Sequence, residues 1–511
     1  MMNNLMGIYL RKQKTSLIIS TLVSSQLLIF GVLGHAAEAP ASDGSRDSIN
    51  ARADSFRLDN QYVPPPGEPL HHYTAGFAKI LCSAVFVTGL DPVDAAANLG
   101  GFISPFDQRQ HVVNTRIDRV RQEVSLVLPS GVVRTARRYD NQGCVAHSLG
   151  ESGIEFTPSI VEADLPPAHS THWPRGDVLD EGAWPSGVDI ELAQRALDTG
   201  FGPPEARTLG LVVTYQGRIL GERYSDEVDI HTPLESWSMT KSLTGTLMGV
   251  LIQQGEYELW QNAPVPEWHE DPNDSRQEIR IGDIMRMSSG IMINAPSDPD
   301  YDTSTYADHF YLYTGGVNQY KYAATLPAEY PPNTIGRYRN TDPVLTSYLI
   351  RLAVESRGED YHSFPQRNLF DKLGIRTALI ETDTYGNFLG QGLAFMSSRD
   401  WAKLGNLYLQ DGVWNGERLL PEGYVDYAST TAPAWITDGR PVYGGAFFWV
   451  DNDVGDDGIP PSFSMRGAGG QSTTIIPSHD LVVVRIGKYT GASEGGEALQ
   501  EMLPLLLEAL P

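Results

Sequence analysis

Residues 238–251 read SMTKSLTGTLMGVL. Its leucines and valine recur with helical spacing, and its two glycines leave room for close packing, so the stretch predicts a buried helix. Ser238 opens the helix and Lys241 follows three positions later. Residues three apart on a helix share one face, so this spacing brings the lysine amine next to the serine hydroxyl.

The pair Ser238 and Lys241 has the chemistry of a nucleophile and its base. Burial favours the neutral amine, and a neutral lysine can take the proton of a serine alcohol. At the start of a helix, Ser238 also has a backbone N–H free to face a developing oxyanion. The alternative interpretation is a serine helix cap with a solvated lysine, and the motif alone does not decide between them.

Two further segments carry residue types suited to the same chemistry. Tyr338-Arg339-Asn340 follows a turn at Pro331-Pro332-Asn333, and a tyrosine there can shuttle protons. Gly467-Ala468-Gly469-Gly470-Gln471 places glycines beside a strand, where backbone can come close to a ligand. Taken singly, the first also fits the end of a surface loop, and the second fits a β-bulge or turn.

In this order the segments resemble the penicillin-recognising serine hydrolases, the superfamily of class C β-lactamases, D-alanyl-D-alanine carboxypeptidases and related esterases and amidases. The matching motifs are Ser238 to Lys241, Tyr338-Arg339-Asn340, and the strand segment that ends at Gly467-Ala468. The resemblance covers about residues 185–511. It implies an α+β fold of the β-lactamase/transpeptidase type: an antiparallel sheet flanked by terminal helices, a mainly helical insertion, and here a small N-terminal extension.

The resemblance also implies a role for each matched residue. Ser238 attacks a carbonyl carbon with Lys241 as base and becomes acylated. Tyr338 protonates the leaving group, and the backbone N–H groups of Ser238 and Ala468 form the oxyanion hole. Asn340 orients the substrate or Lys241, and a weaker expectation is that residues 298–313 line the pocket.

One departure from the superfamily pattern bears on the substrate. Members that hydrolyse β-lactams carry Lys-Thr-Gly where this chain has Met465, Arg466 and Gly467. The segment Gly-Ala-Gly-Gly-Gln, which begins at Gly467, is similar to the corresponding segment of 6-aminohexanoate-dimer hydrolases and of their family VIII carboxylesterase relatives. We therefore expect hydrolysis of linear amides or esters, with Arg466 and Gly467 binding substrate. The alternatives are a β-lactamase or D-Ala-D-Ala carboxypeptidase, and a non-catalytic ligand- or cell-wall-binding protein with the same fold.

The pattern along the chain predicts three parts. Residues 1–37 have the basic start, apolar run and small residues of a signal peptide, so we expect export to the periplasm or medium, or a membrane anchor if the leader is not cleaved. Residues 38–175 form an N-terminal extension or small module that begins with a flexible lead-in to about residue 66. Residues 176–511 form the hydrolase domain.

Within these parts the predicted elements are local. A helix at 188–199 precedes two strands at 209–215 and 218–224, and strands at 473–476 and 481–486 precede a helix at 498–510. Residues 123–128 and 132–139 predict a β-hairpin. Cys82 and Cys144 are the only cysteines, and export favours a disulfide between them over two buried thiols.

Charge and motifs exclude several other functions. The net charge is −25, and loss of three basic and no acidic residues with the leader gives −28, so we expect no nucleic-acid partner. No Gly-x-Ser-x-Gly motif occurs, and the paired histidines at 71–72 and 169–172 lack a helical zinc motif. We expect no metal, no cofactor, a small-molecule substrate and no stable membrane span once the leader is removed, and the sequence leaves the oligomeric state open.

Overall fold

The structure of the chain is a computed structural model that describes residues 42–452 and 458–511. The predicted signal peptide at 1–37 lies outside the described residues. Residues Ala41–Pro511 pack as one unit. Across the part described, no helix combines the length and the apolar character needed to cross a bilayer.

The described strands form four antiparallel sheets. Their order is β1-β2-β3-β4 in the N-terminal sheet, β12-β13-β14-β15-β5-β6 in the central sheet, and β7-β9-β8 and β10-β11 in two small ones. The strands are β1 Asn114–Asp118, β2 Glu123–Val127, β3 Val133–Arg138, β4 Cys144–Ala146, β5 Thr208–Tyr215, β6 Arg218–Tyr224, β7 Leu234–Glu235, β8 Leu379–Ile380, β9 Ala394–Met396, β10 Val413–Trp414, β11 Glu417–Arg418, β12 Trp449–Asp451, β13 Ser462–Gly467, β14 Gln471–Ile476 and β15 Leu481–Gly487.

The helices cover both faces of the central sheet. Helices α5 and α15 pack on one face, and α6 and α12 pack on the other. The helices are α1 Arg46–Phe56, α2 Pro69–Ser83, α3 Pro92–Asn98, α4 Phe106–Arg109, α5 Ile190–Phe201, α6 Met239–Gln253, α7 Ile281–Ile284, α8 Asp308–Thr314, α9 Gln319–Thr325, α10 Thr341–Ser356, α11 Asp371–Leu373, α12 Ser398–Leu409, α13 Tyr424–Ser429, α14 Pro433–Thr437 and α15 Ala492–Glu508.

The central sheet forms where the sequence predicts it. Every residue of β5 and β15 is buried, because these inner strands have helices on both faces. Gln216 and Gly217 join β5 to β6 with φ values of 49° and 73°, as a tight two-residue hairpin turn requires. The α+β class, the terminal helices and the helical insertion are confirmed, with element ends shifted by a few residues.

The N-terminal region contains the predicted hairpin, β2 paired with β3, and the predicted disulfide joins Cys82 on α2 to Cys144 on β4. This region is tied to the rest of the unit by buried charge. Lys79 on α2 forms an ion pair of 2.8 Å with Glu381, and both side chains are almost fully buried. The Glu381 carboxylate also accepts a hydrogen bond of 2.8 Å from the backbone N–H of Cys144.

The prediction of a flexible lead-in to about residue 66 is wrong over residues 46–56. Residues Arg46–Phe56 form helix α1, whose Arg52 makes a buried ion pair of 3.1 Å with Asp438. A polar sequence can become ordered in this way when a distant partner satisfies its charge. The boundary near residue 176 stays a prediction.

Candidate active site

Helix α6 lies at the centre of the fold, as its sequence predicts. All residues from 239 to 251 are buried. The two glycines allow this packing, since a Cβ at Gly245 would lie 2.6 Å from the carbonyl oxygen of Ala446 and one at Gly249 would lie 2.8 Å from Leu420. The helix that carries the candidate nucleophile is therefore held rigidly on several sides.

The chain enters α6 through a strained turn. Trp237, immediately before Ser238, is fully buried and has a φ of 49°, in the left-handed region that a bulky residue rarely adopts. Ser236 fixes the turn from the other side, because its backbone N–H and its hydroxyl both donate to the carbonyl of Ala394, at 3.2 and 2.6 Å. The start of the helix is thus set by its neighbours on both sides.

Ser238 and Lys241 are in direct contact. The Lys241 Nζ lies 2.9 Å from the Ser238 Oγ and 2.5 Å from the backbone carbonyl of Gln391. Lys241 has no exposed surface, whereas Ser238 is partly exposed. A substrate can therefore reach the hydroxyl, while the amine that faces it stays away from water.

The burial of Lys241 controls its protonation. Desolvation lowers the pKa of the amine well below its ordinary value of 10.5. Among the described residues no carboxylate forms an ion pair with Lys241 that would favour the ammonium form. A neutral amine has a free lone pair, so Lys241 can accept the Ser238 proton as a general base.

Tyr338 completes the group around the Ser238 hydroxyl. Its ring lies over Lys241, with 5.0 Å from Nζ to the ring centroid. Burial raises the pKa of Tyr338 above its ordinary value of 10.0, and a hydrogen bond with Ser238 opposes that shift only in part. The phenol therefore carries its proton at neutral pH, as a general acid must. The next residue, Arg339, anchors the segment through ion pairs with Asp298 and Glu329.

Gly467 ends β13 next to the turn that precedes Ser238, and Ala468 follows it. A Cβ at Gly467 would lie 2.2 Å from the carbonyl oxygen of Ser236, so only glycine fits where the strand passes the turn. Among the described residues, the N–H groups of Ser238 and Ala468 donate to no protein acceptor. These are the two donors that the resemblance to penicillin-recognising serine hydrolases assigns to an oxyanion hole, and that role stays a prediction.

The other predicted site residues with polar side chains are Asn340 and Arg466. Asn340 has a backbone hydrogen-bond partner, and Arg466 has a side-chain partner. Asn340 is fully buried and donates a hydrogen bond of 2.7 Å to the carbonyl of His309. Arg466 is partly exposed, donates to the Ser464 hydroxyl at 2.7 Å, and forms no ion pair within the described residues. Neither has a hydrogen bond with Ser238 or Lys241 in the described structure, so their roles toward substrate stay predictions.

Sequence reasoning missed two contributors to this site. The carbonyl of Gln391 holds the Lys241 amine, and a backbone acceptor has no signature in the sequence. His309 is buried with its ring 6.4 Å from that of Tyr338, and burial, with Lys241 nearby, lowers the pKa of the imidazole well below 6.5. His309 falls within residues 298–313, the loop that the sequence singles out as pocket lining, so its position was signalled but its identity was not.

A partly exposed serine beside a buried lysine, a protonated tyrosine and two free N–H groups is the equipment of a serine hydrolase. Residues 198–501, more than half of the chain, match the Beta-lactamase family. The chain therefore belongs to the Beta-lactamase family, whose members are serine hydrolases.

Individual relatives are more distant. An uncharacterised protein of Alkalihalophilus pseudofirmus is 30% identical over 114 residues, which cover 21% of this chain and 34% of that protein. The chain thus spans about a third of the length of this curated relative. A Bacillus anthracis protein designated a candidate 6-aminohexanoate-dimer hydrolase is similar in structure, with a TM-score of 0.50 and 20% identity, over 60% of this chain and 81% of that one.

A penicillin-binding protein homologue from Caulobacter crescentus has a TM-score of 0.47 and 12% identity, over 64% of this chain and 99% of that one. At 20% identity, the likeness to the Bacillus anthracis protein shows the fold alone. The substrate has to be argued from the residues of this chain.

Proposed function

We propose that the chain hydrolyses linear amide or ester bonds through an acyl-enzyme formed on Ser238. The observation that carries this proposal is the 2.9 Å contact between the Ser238 hydroxyl and the buried amine of Lys241. This pair joins a partly exposed nucleophile to a base whose pKa burial lowers well below its ordinary value of 10.5.

The proposed reaction has two halves. Lys241 takes the proton of Ser238 as its oxygen bonds to the substrate carbonyl carbon, and the N–H groups of Ser238 and Ala468 bind the oxyanion. Tyr338 gives its proton to the leaving amine or alcohol as the carbon–heteroatom bond breaks. Water then attacks the acyl carbon and loses a proton to the Tyr338 phenolate. The bond between the acyl carbon and the Ser238 oxygen breaks, Lys241 returns its proton to that oxygen, and the acid leaves.

The preference for linear substrates rests on the third motif. This chain has Met465, Arg466 and Gly467 where β-lactam-hydrolysing relatives have Lys-Thr-Gly. Arg466 stands where that motif has its threonine, and its guanidinium donates to the Ser464 hydroxyl but forms no ion pair among the described residues. We assign it to binding a carboxylate or another anionic group at the end of the substrate.

Labelling with a fluorophosphonate tests the proposed nucleophile. We expect one adduct per chain, located at Ser238 by mass spectrometry of the peptides, and no adduct after heat denaturation. Absence of an adduct in the folded protein would favour the non-catalytic ligand-binding alternative. Rates on short acyl esters, a linear 6-aminohexanoate dimer, nitrocefin and D-Ala-D-Ala peptides then rank the substrate classes, with nitrocefin or the peptides leading if the β-lactamase or carboxypeptidase alternative holds.

Tyr338→Phe separates the role of the phenol proton from that of the ring. The variant keeps the ring over Lys241 and its packing against Trp449, with ring centroids 5.2 Å apart. We expect kcat/KM for a linear amide to fall by about 10²- to 10⁴-fold, because the leaving amine needs a proton. The loss on p-nitrophenyl acetate is smaller, because p-nitrophenolate leaves without one. Equal losses on both substrates would contradict the general-acid role.

A further inference from the structure

The N-terminal region shares one hydrophobic cluster with the candidate active site. This cluster includes Phe77 of α2 and Val124 of β2 together with Trp237, which precedes the nucleophile, and Tyr313 of α8. Ala468, whose N–H belongs to the candidate oxyanion hole, packs against the same cluster. Residues far upstream of the hydrolase motifs therefore pack in the same cluster as the residue that precedes the nucleophile.

Phe102 links the N-terminal region to Trp237, the residue that precedes the nucleophile. Its ring meets the Trp237 ring edge to face at a centroid distance of 4.7 Å, and it lies 6.4 Å from the His309 ring. The His309 ring is in turn 6.4 Å from that of Tyr338. Trp237 has no exposed surface, but Phe102 is partly exposed. Phe102 is thus an accessible ring of the shared cluster that contacts Trp237 directly and is linked to Tyr338 through His309.

The segment that carries Phe102 is fixed from within. The guanidinium of Arg109 donates to the carbonyls of Leu99 and Ser104, at 2.6 and 3.1 Å, on either side of Phe102. The backbone N–H of Ser104 also donates to the carbonyl of Gly100 at 3.2 Å. These bonds hold the aromatic ring in one place without help from a substrate.

The same segment is fastened to the central sheet near the candidate oxyanion hole. Asn98 accepts a hydrogen bond of 2.7 Å from the hydroxyl of Thr490, and Asp94 forms an ion pair of 2.7 Å with Lys488. Lys488 directly follows β15, and Thr490 comes two residues later. Between them lies Tyr489, whose Cα is 3.0 Å from the ideal Cβ position of Gly469. The segment and the Gly467–Gly470 turn therefore keep a constant spacing.

We propose that Phe102 is a specificity-determining residue that forms the acyl-side wall of the substrate site and limits the length of the acyl group. The inference rests on the proposed function. In that reaction the leaving group faces Tyr338, and we place the acyl group, bonded to Ser238, beside the preceding residue, Trp237. Phe102 covers Trp237, and a rigid aromatic ring there favours short acyl chains.

p-Nitrophenyl esters of rising acyl length test the wall, because their leaving group stays constant. Phe102→Ala opens the site, so the ratio of kcat/KM for the octanoate to that for the acetate rises by about tenfold or more. Phe102→Leu gives a smaller rise, and Phe102→Trp lowers the ratio below that of the unchanged protein. The ratio of the two rates is the readout, because loss of a ring that packs on Trp237 also affects turnover common to both esters.

Phe106→Ala is the matched control. Phe106 lies on the same segment and is 38% exposed, but its ring packs on Arg109 and Tyr489 rather than on Trp237. We expect it to leave the chain-length ratio unchanged. Thermal unfolding of each variant shows whether it is folded. If Phe102→Ala does not fold, the acyl-length ratios of Phe102→Leu and Phe102→Trp test the proposal.

Fluorophosphonate labelling of the same variants separates failure of this proposal from failure of the function. Labelling at Ser238 with an unchanged chain-length ratio in the Phe102 variants would overturn the wall and leave the hydrolase intact. An equal shift in Phe106→Ala would also overturn it, because the effect would then belong to the whole segment. An unchanged protein that is not labelled at Ser238 would overturn both.

Discussion

Ser238→Ala is expected to reduce kcat/KM on a p-nitrophenyl ester by about 10⁶-fold, which leaves only the rate that binding and oxyanion donors supply. The loss is large because the acyl-enzyme cannot form without the hydroxyl, while Lys241 has nothing within reach to activate except water. Purified variant and unchanged protein are compared under first-order conditions, with the ester's spontaneous hydrolysis subtracted.

Ser242→Ala supplies the control for removal of a hydroxyl from the same helix. Ser242 is buried one turn further along α6, and its hydroxyl donates to the carbonyl of Phe447 at 2.9 Å. Loss of that bond is expected to lower the free energy of unfolding by about 1 kcal/mol and to leave turnover nearly unchanged. Turnover by Ser238→Ala at the rate of the unchanged protein would sink the assignment of the nucleophile.

Lys241→Arg is expected to lower kcat/KM by about 10⁴-fold, because a guanidinium cannot lose its proton and cannot act as a base. Lys241→Met removes the base as well, but it replaces a buried amine by an apolar side chain of similar length. Both variants lose activity, whereas their stabilities move in opposite directions. Arg puts a permanent charge into the core, while Met removes a group that must be desolvated.

The stability of Lys241→Met relative to the unchanged protein depends on pH in a definite direction. The folded pKa of Lys241 lies below 10.5, so at any pH between the two values the unfolded state binds more protons than the folded state. Stability of the unchanged protein therefore rises with pH across that window. At pH values below the folded pKa of Lys241, each unit by which burial lowers that pKa costs about 1.4 kcal/mol of folding free energy.

Urea unfolding at a series of pH values measures this difference. Lys241→Met is expected to be more stable than the unchanged protein at neutral pH, with an advantage that shrinks as the pH approaches 10.5. The acid limb of the kcat/KM profile of the unchanged protein belongs to the same amine. A pH-independent difference in stability would show that Lys241 stays protonated in the fold, and its role as base would then fail.

The parts of the site that the sequence predicts are those encoded locally. Ser238 and Lys241 lie one helical turn apart, so their spacing and the apolar residues of α6 already imply the contact that the structure has. Gly467 was predicted as a close approach of backbone, and its nearest neighbour is the Ser236 carbonyl. Tyr338 joins them from a distant segment, and only the resemblance of the whole motif set predicted that meeting.

The parts that escaped prediction depend on contacts through space. No sequence pattern marks Gln391 or Phe102 as part of the site, because neither residue belongs to a motif or a periodic pattern. The ordered helix α1 was missed for the same reason, since its Arg52 is neutralised by Asp438, almost four hundred positions away. A charged or polar segment is solvent-exposed only if no distant residue pairs with its charges, and the sequence of the segment does not show whether such a partner exists.

Strand β15 has a consequence for how the protein is made. It lies between β14 and β5, so it joins the β5–β6 hairpin to the strands that carry Gly467 and Ala468. On the ribosome the hairpin emerges long before this partner, and its unpaired edge stays open to association with other chains. Translation that stops before Leu481 therefore yields a polypeptide that contains Ser238 but cannot assemble the active site.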